Sequence, residues 1–144
     1  MLAAVLVNLA NAHLVGASDR SDSLARAAAL RAIALVASLE ETDAYAAEVS
    51  LKARHLLCHA AARSLSEQPA TGGAPSEDVH DATDLADEGL ALIRRWEQKG
   101  VTRFRDLALD LYRFGARVYA RYQPQFLSEF LREHADWERL TRSG

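Results

Sequence analysis

Apolar residues recur at three-and-four spacing through nearly every segment of this chain, and strict alternation is missing, so the pattern predicts helices throughout. Leu2, Val5, Leu6, Leu9 and His13 share one face of a first helix over Leu2 to Val15. Gly16 can end it, and Ser18 to Asp22 form a polar loop rich in residues that cap helix N-termini. A second helix is expected from Ser23 to Leu39, with Leu24, Ala28, Leu35 and Leu39 turned inward. Its Ala-dense middle (Ala27, Ala28, Ala29, Ala32, Ala34) would let a neighbouring backbone come close. Thr42 and Asp43 make a turn and cap ahead of a third helix, Ala44 to Ser66, which buries Tyr45, Val49, Leu56, Ala60 and Ala61.

Glu67 to Ser76 carries Gln-Pro-Ala-Thr-Gly-Gly-Ala-Pro-Ser, which cannot continue a helix and has nothing to bury. The segment 67–76 reads as a flexible surface loop inside a single domain spanning 1–144. Ser76-Glu77-Asp78 opens a fourth helix, acidic at its start and closed by Arg94, Arg95 and Lys99, so its charges complement the helix dipole. Gly100 suits its C-terminal cap. A fifth helix, Thr102 to Tyr122, is expected to bury Phe104, Leu107, Leu111, Phe114 and Val118. Pro124 fits the first turn of a sixth, with Phe126, Leu127, Phe130 and Leu131 apolar. Trp137 and Leu140 lie in a charged tail that either continues this helix or packs back as a cap.

Part of this pattern is said twice. Ala32-Ile33-Ala34-Leu35-Val36 with Leu39-Glu40 is answered, at the spacing from Ala32 to Gly89, by Gly89-Leu90-Ala91-Leu92-Ile93 with Trp96-Glu97. Ala53, Leu56, Leu57 and Ala60 are answered, one residue further on, by Leu111, Phe114, Gly115 and Val118. A supersecondary unit recurring at a fixed period marks a helical repeat array, in which each unit buries its apolar face on the next. The fold class is therefore all-α, with about six helices in stacked antiparallel hairpins.

The chain resembles a divergent tetratricopeptide-type repeat protein, and looks like the long-period bacterial variety. The matching residues are Asn8-Leu9-Ala10-Asn11-Ala12, the pairs Ala25/Ala32 and Ala82/Gly89 seven apart, and Phe114-Gly115-x-x-Val118 followed by Pro124 and Leu127. The spacing exceeds the standard period, and His13, Ala60 and Val118 stand where an aromatic usually closes each first helix. The resemblance implies that the first helix of each hairpin lines a concave groove. Carried across, that groove consists of Val7, Asn11, Leu14, Arg54, Cys58, Ala61, Tyr112, Ala116 and Tyr119. It would be mainly apolar and suit an amphipathic helix or extended peptide. The family's carboxylate-clamping form needs several lysines, which this chain lacks.

Composition refines the picture in a few places. At 144 residues, with 49% apolar and 26% charged residues, the chain has an ordinary globular composition and can bury a full core. The formal net charge of −3 recruits neither nucleic acid nor an anionic membrane. The lone Cys58 forms no internal disulfide and is compatible with a reducing cytoplasm. Met1 to Ala17 is apolar enough to suggest a signal peptide. It lacks a basic leading region, however, and Asn8, Asn11 and His13 interrupt it, so it reads as the first helix. That segment is too short and polar to span a bilayer. A cytoplasmic protein without a membrane partner is expected.

Three constellations were candidates for chemistry. His55-Leu56-Leu57-Cys58-His59 puts two histidines on one helix face, with His80 and Asp84 as further metal ligands. Leu56 stands where a zinc protease needs Glu, and Cys58 points about 100 degrees away from His59. The acidic run Asp78, Asp81, Asp84, Asp87, Glu88 lacks a calcium-binding loop and suits a helix first turn. Arg113, Arg117 and Arg121, interleaved with Tyr112, Tyr119 and Tyr122, resemble a nucleic-acid stripe. Asp106 and Asp110 on the same face are expected to pair with those arginines instead. No phosphate loop, nucleophile triad or dinucleotide fingerprint occurs.

The expectation is thus a non-enzymatic scaffold for protein–protein interaction, with no cofactor, no metal and no nucleic acid. The alternatives are a homodimerisation module or a metal-dependent enzyme in a helical bundle. Self-association is expected because the first helix is apolar around most of its circumference. Leu2, Val5, Leu6 and Leu9 would meet a second copy across a two-fold axis. Arg132, Glu133, Asp136, Glu138, Arg139 and Arg142 would give the other end a polar cap.

Overall fold

A computed structural model describes residues 2–15, 19–67 and 76–142. The side chains of 12–22, 64, 66, 67, 138 and 140–142 lie outside that description. So does most of the expected 67–76 loop. The described residues form seven α-helices and one 3-10 turn, with no strand among them. They are α1 (Leu2–Val15), α2 (Asp19–Val36), α3 (Ala44–Glu67), α4 (Glu77–Gln98) and α5 (Arg105–Tyr122), then Pro124–Phe126, α6 (Leu127–Glu133) and α7 (Ala135–Arg142). The expected sixth helix is broken at His134, and Trp137 packs back on α5 as part of a seventh.

Local chemistry sets most boundaries. Asp43 caps α3, its Oδ1 accepting from the Tyr45 amide at 2.9 Å and the Ala46 amide at 3.4 Å. Ser76 caps α4 in the same way, accepting from the Val79 amide at 3.4 Å. α4 ends in the paired bonds of a Schellman motif, Gly100 N–H to Glu97 O and Val101 N–H to Trp96 O. Gly100 has φ of 89°, a left-handed conformation that a Cβ would strain. The chain then bends through Phe104, which is fully buried, and Arg105 bonds back to Glu97 at 2.7 Å. This turn occupies the residues that the periodicity assigned to the helix, so α5 begins at Arg105 rather than Thr102.

Each of α1 to α5 packs on the next, and α3 also packs on both α1 and α5. Partner positions give the directions. Cys58 meets the Ala82 carbonyl while Arg54 meets Leu85 and Glu88, so α3 and α4 run antiparallel. His55 faces Asp110 and Leu65 faces Arg121, so α3 and α5 run parallel. α2 and α4 are also parallel, bridged near their starts by Arg26 with Asp78 and beyond the end of α2 by Arg95 with Glu41.

Two apolar clusters result, and α3 serves both. Ala47, Leu51, Cys58, Ala61 and Leu65 face α4 and α5, while Ala46, Val49, Ala53 and Leu57 face α1 and α2. At 3.6 residues per turn these two faces lie roughly 120° apart. Close approach depends on small residues. α2 buries Ala25, Ala28, Ala29, Ala32 and Val36 and exposes Leu24 and Leu35, as the turn after it exposes Leu39; the sequence pattern had turned all three leucines inward. Alanine permits short interhelical distances that leucine forbids, so the smaller face wins the contact. Tyr45 likewise lies out at the surface, while Leu56 and Ala60 are half-buried.

Gly115 marks the tightest crossing: a Cβ there would sit 2.6 Å from Cζ of Phe130. Phe130 is itself held between Tyr112, stacked at 5.7 Å, and Tyr119 at 4.9 Å, so it cannot swing aside. Gly115→Leu should therefore destabilise by about 1–3 kcal/mol through overpacking, measured by urea unfolding. At an uncrowded helix position Gly to Ala stabilises by up to about 1 kcal/mol instead. An unchanged or raised midpoint would mean the crossing is loose.

Candidate functional site

The groove carried over from the resemblance meets the structure unevenly. Val7, Arg54, Cys58, Ala61 and Tyr112 are buried, whereas Asn11 is exposed and Ala116 and Tyr119 are half-buried. The Leu14 side chain lies outside the described residues. Arg54 and Cys58 point into the packing against α4: the guanidinium bonds the Leu85 carbonyl at 2.9 Å, and the thiol donates to the Ala82 carbonyl at 3.6 Å. The accessible seam between α3 and α5 runs one residue over, along His55, His59, Ala62, Arg113 and Arg117.

Arg54 is 5% exposed, and its neutralisation organises this region. It donates to Ser50 Oγ at 3.2 Å and to Glu88 Oε2 at 2.9 Å, with Glu40 Oε2 at 4.0 Å. Hydrogen bonds within α3 and to α4, with the Glu40 carboxylate of the α2–α3 turn close by but not hydrogen-bonded, make it a clamp rather than an accessible anchor. Cys58 is equally unavailable: burial pushes its thiol up to about 12, with Asp87 adding to the shift and Arg54 opposing it. A thiol so far from ionisation is a poor nucleophile and a poor metal ligand.

The histidines do not converge. His55 pairs with Asp110 of α5 at 3.4 Å, while His80 sits over Asp84 on α4 at 3.8 Å. Among the described residues no group of three His, Cys, Asp or Glu side chains is placed to hold a metal ion.

The arginine stripe also differs from expectation. Asp110 faces His55 across the seam, and Arg121 donates to the Leu65 carbonyl. Among the described residues neither Arg113 nor Arg117 pairs with a carboxylate. A cross-helix partner has taken the aspartate that the helical spacing offered to Arg113.

The N-terminal hairpin presents a different kind of surface. Of the exposed large apolar side chains among the described residues, Leu2, Val5, Leu9, Leu24, Leu30, Leu35, Leu39 and Tyr45 lie on α1, α2, the turn after it and the start of α3. Only Phe126 and Leu131 lie elsewhere. Ala3, Val7 and Ala10 turn into the core, leaving Leu2, Val5 and Leu9 at 55%, 58% and 46% exposure on the opposite side of α1. These three fall within an arc of roughly 60°, and Leu6 is half-buried at its edge. Isolated exposed leucines are ordinary; here they are concentrated at one end of the molecule.

The other end is closed. Phe130 and Trp137 are buried, and Arg94 lies 4.9 Å over the Trp137 ring while donating to the Glu133 carbonyl at 2.9 Å. Burial pushes His134 below its usual range, with the Arg94 charge adding to the effect and Glu133 opposing it. Among the described residues no helix is long and apolar enough to cross a membrane.

One half-buried acid supplies a pH signature. Burial pushes the Asp87 carboxyl up to about 6, reinforced by Asp84, Glu133 and Glu88. Between its ordinary value of about 4 and about 6 the folded state binds this proton more tightly than the unfolded state. Stability from this group therefore falls as pH rises through that window. Asp87→Asn should be more stable than wild type at pH 7, and the gap should close as the pH approaches 4, as followed by urea melts. A gap independent of pH would contradict the assignment.

No family model, no curated protein and no solved structure matches this chain.

Proposed function

We propose that the chain is a non-catalytic protein-interaction module, built as stacked helical hairpins of the tetratricopeptide kind, that docks through its N-terminal hairpin. The observation that carries this reading is the apolar strip Leu2, Val5 and Leu9 on an α1 surface that no other helix covers among the described residues. Fully burying such a side chain is worth ~1.5–3 kcal/mol, so completing the burial of a half-exposed one contributes about 1 kcal/mol.

The packing supports the stacked arrangement. α2 with α4 and α3 with α5 run parallel, with contacting partners 54 residues apart at Glu41 and Arg95 and 56 apart at Leu65 and Arg121. These separations approach the sequence repeat. Equivalent small residues are buried in both copies, Ala25 with Ala82, Ala29 with Ala86 and Ala32 with Gly89. In such a stack each inner hairpin is covered on two sides and each terminal one needs a cap. Here α6 and α7 pack on α5, and among the described residues no helix packs on the outer face of α1.

A second copy of the chain is the favoured partner, because α1 contains no charged side chain from Leu2 to Val15. Two such faces can oppose each other across a two-fold axis without burying like charges. Light scattering after size exclusion should show a concentration-dependent dimer for the wild type. Val5→Glu with Leu9→Glu should give a monomer with unchanged helix content by circular dichroism. A wild type that stays monomeric at high micromolar concentration and binds no apolar dye would contradict both the partner and the docking surface.

A further inference from the structure

Between α3 and α5 lies an open cavity of about 170 Å³, with His55, Cys58, His59 and Ala62 on one wall and Asp110, Arg113, Phe114 and Arg117 on the other, the Asp110 carboxylate lying 3.4 Å from His55 Nε2. We propose that it is an anion site that takes a phosphate monoester. This goes beyond the docking role of the N-terminal hairpin and does not depend on it.

The seam is bridged by polar contacts at both ends and left open in the middle. At one end His55 faces Asp110 at 3.4 Å; at the other Arg121 donates to the Leu65 carbonyl. Between them Arg113 and Arg117 stand one turn apart on α5, both exposed, with no acceptor among the described residues. His59, also exposed, faces them from α3. An imidazole donates an N–H in either protonation state, so three donor groups converge on one opening.

That inventory selects among anions. A phosphate monoester carries a charge of about −1.5 to −2 at pH 7 and three terminal oxygens, matching two guanidiniums and a third donor. A carboxylate offers one charge and two oxygens, and leaves one guanidinium unmatched. The apolar part of the lining, Phe114 and Ala62, suits the carbon that bears the ester. A nucleic-acid backbone fits worse. Asp110 lines the cavity for either ligand and faces His55, but a backbone extended along α5 would run on to Asp106 as well, in a chain of net charge −3. The monoester could come from a phosphorylated side chain of another protein or from a small phosphorylated metabolite.

The test is calorimetry and amide-resolved nuclear magnetic resonance on the full chain at constant ionic strength. The probes are O-phosphoserine, a short peptide with one central phosphoserine, the same peptide unphosphorylated, and a single-stranded oligonucleotide. The proposal predicts saturable shifts in the amides of 58–62 and 113–117 with both phosphorylated probes and not with the unphosphorylated peptide. Tighter binding of the phosphopeptide than of O-phosphoserine assigns the site to a protein partner; equal binding assigns it to a small molecule. Arg113→Gln with Arg117→Gln should weaken binding by about tenfold or more, the loss expected for charge-assisted hydrogen bonds. His59→Ala should weaken it less. All these side chains are exposed, so the circular dichroism spectrum should not change. A response no larger than that to chloride, an unchanged response in the double variant, or tighter binding of the oligonucleotide at these residues would overturn the proposal.

Discussion

The structure depends on a crossing at Gly89, where a buried charge passes between three helices. A Cβ at that position would lie 2.9 Å from Leu111 Cδ1 and 3.2 Å from Arg54 Cδ. Its absence lets the Arg54 stem lie against α4 and lets α5 close over the same point. The guanidinium is then satisfied by Ser50, the Leu85 carbonyl and Glu88, with Glu40 from the α2–α3 turn nearby. An unpaired guanidinium buried there would cost several kcal/mol, so the partners are a condition of the packing. Because α3 belongs to both apolar clusters, this junction ties the N-terminal hairpin to the rest of the chain.

The same region is locked from outside. Trp96 donates to the Glu40 carbonyl at 2.8 Å, and Lys99 lies over the Trp96 ring at 4.6 Å. Arg95 makes a two-pronged pair with Glu41, and this hydrogen bonding holds the Glu41 carboxyl below its usual range. The end of α4 thus grips the turn between α2 and α3, while Arg26 reaches Asp78 near the other end of the two helices. Between those bridges α2 and α4 stay apart, over a small cavity of about 120 Å³ floored by Leu57, Ala60 and Ala61. Well-tied inner helices contrast with α1, whose outer apolar strip stays about half exposed among the described residues.

Much of the fold was legible in the sequence. The caps at Asp43 and Ser76 and the stop at Gly100 follow from residue chemistry and spacing. The inward face of α2 was misread because hydrophobicity ranks leucine over alanine, whereas a close helix crossing ranks them by size. The pairing of Arg113 and Arg117 with aspartates failed for a different reason. Helical spacing sees only partners on the same helix, and Asp110 found His55 on another. The accessible seam was displaced by one residue because its register came from a resemblance, while the buried demands of Arg54 fix the real rotation of α3. The exposed strip on α1 was readable from its uncharged circumference.

Native-state hydrogen exchange tests the central role of the Gly89 crossing most directly. Amides of Ser50 to Leu57 and Leu85 to Ile93 should exchange last, only through global unfolding, because the clamp and both clusters must open together. Those of α1 should exchange earlier, through opening of the N-terminal hairpin. If the amides around Arg54 and Gly89 exchange before those of α1, the junction does not hold the structure together and the account is wrong.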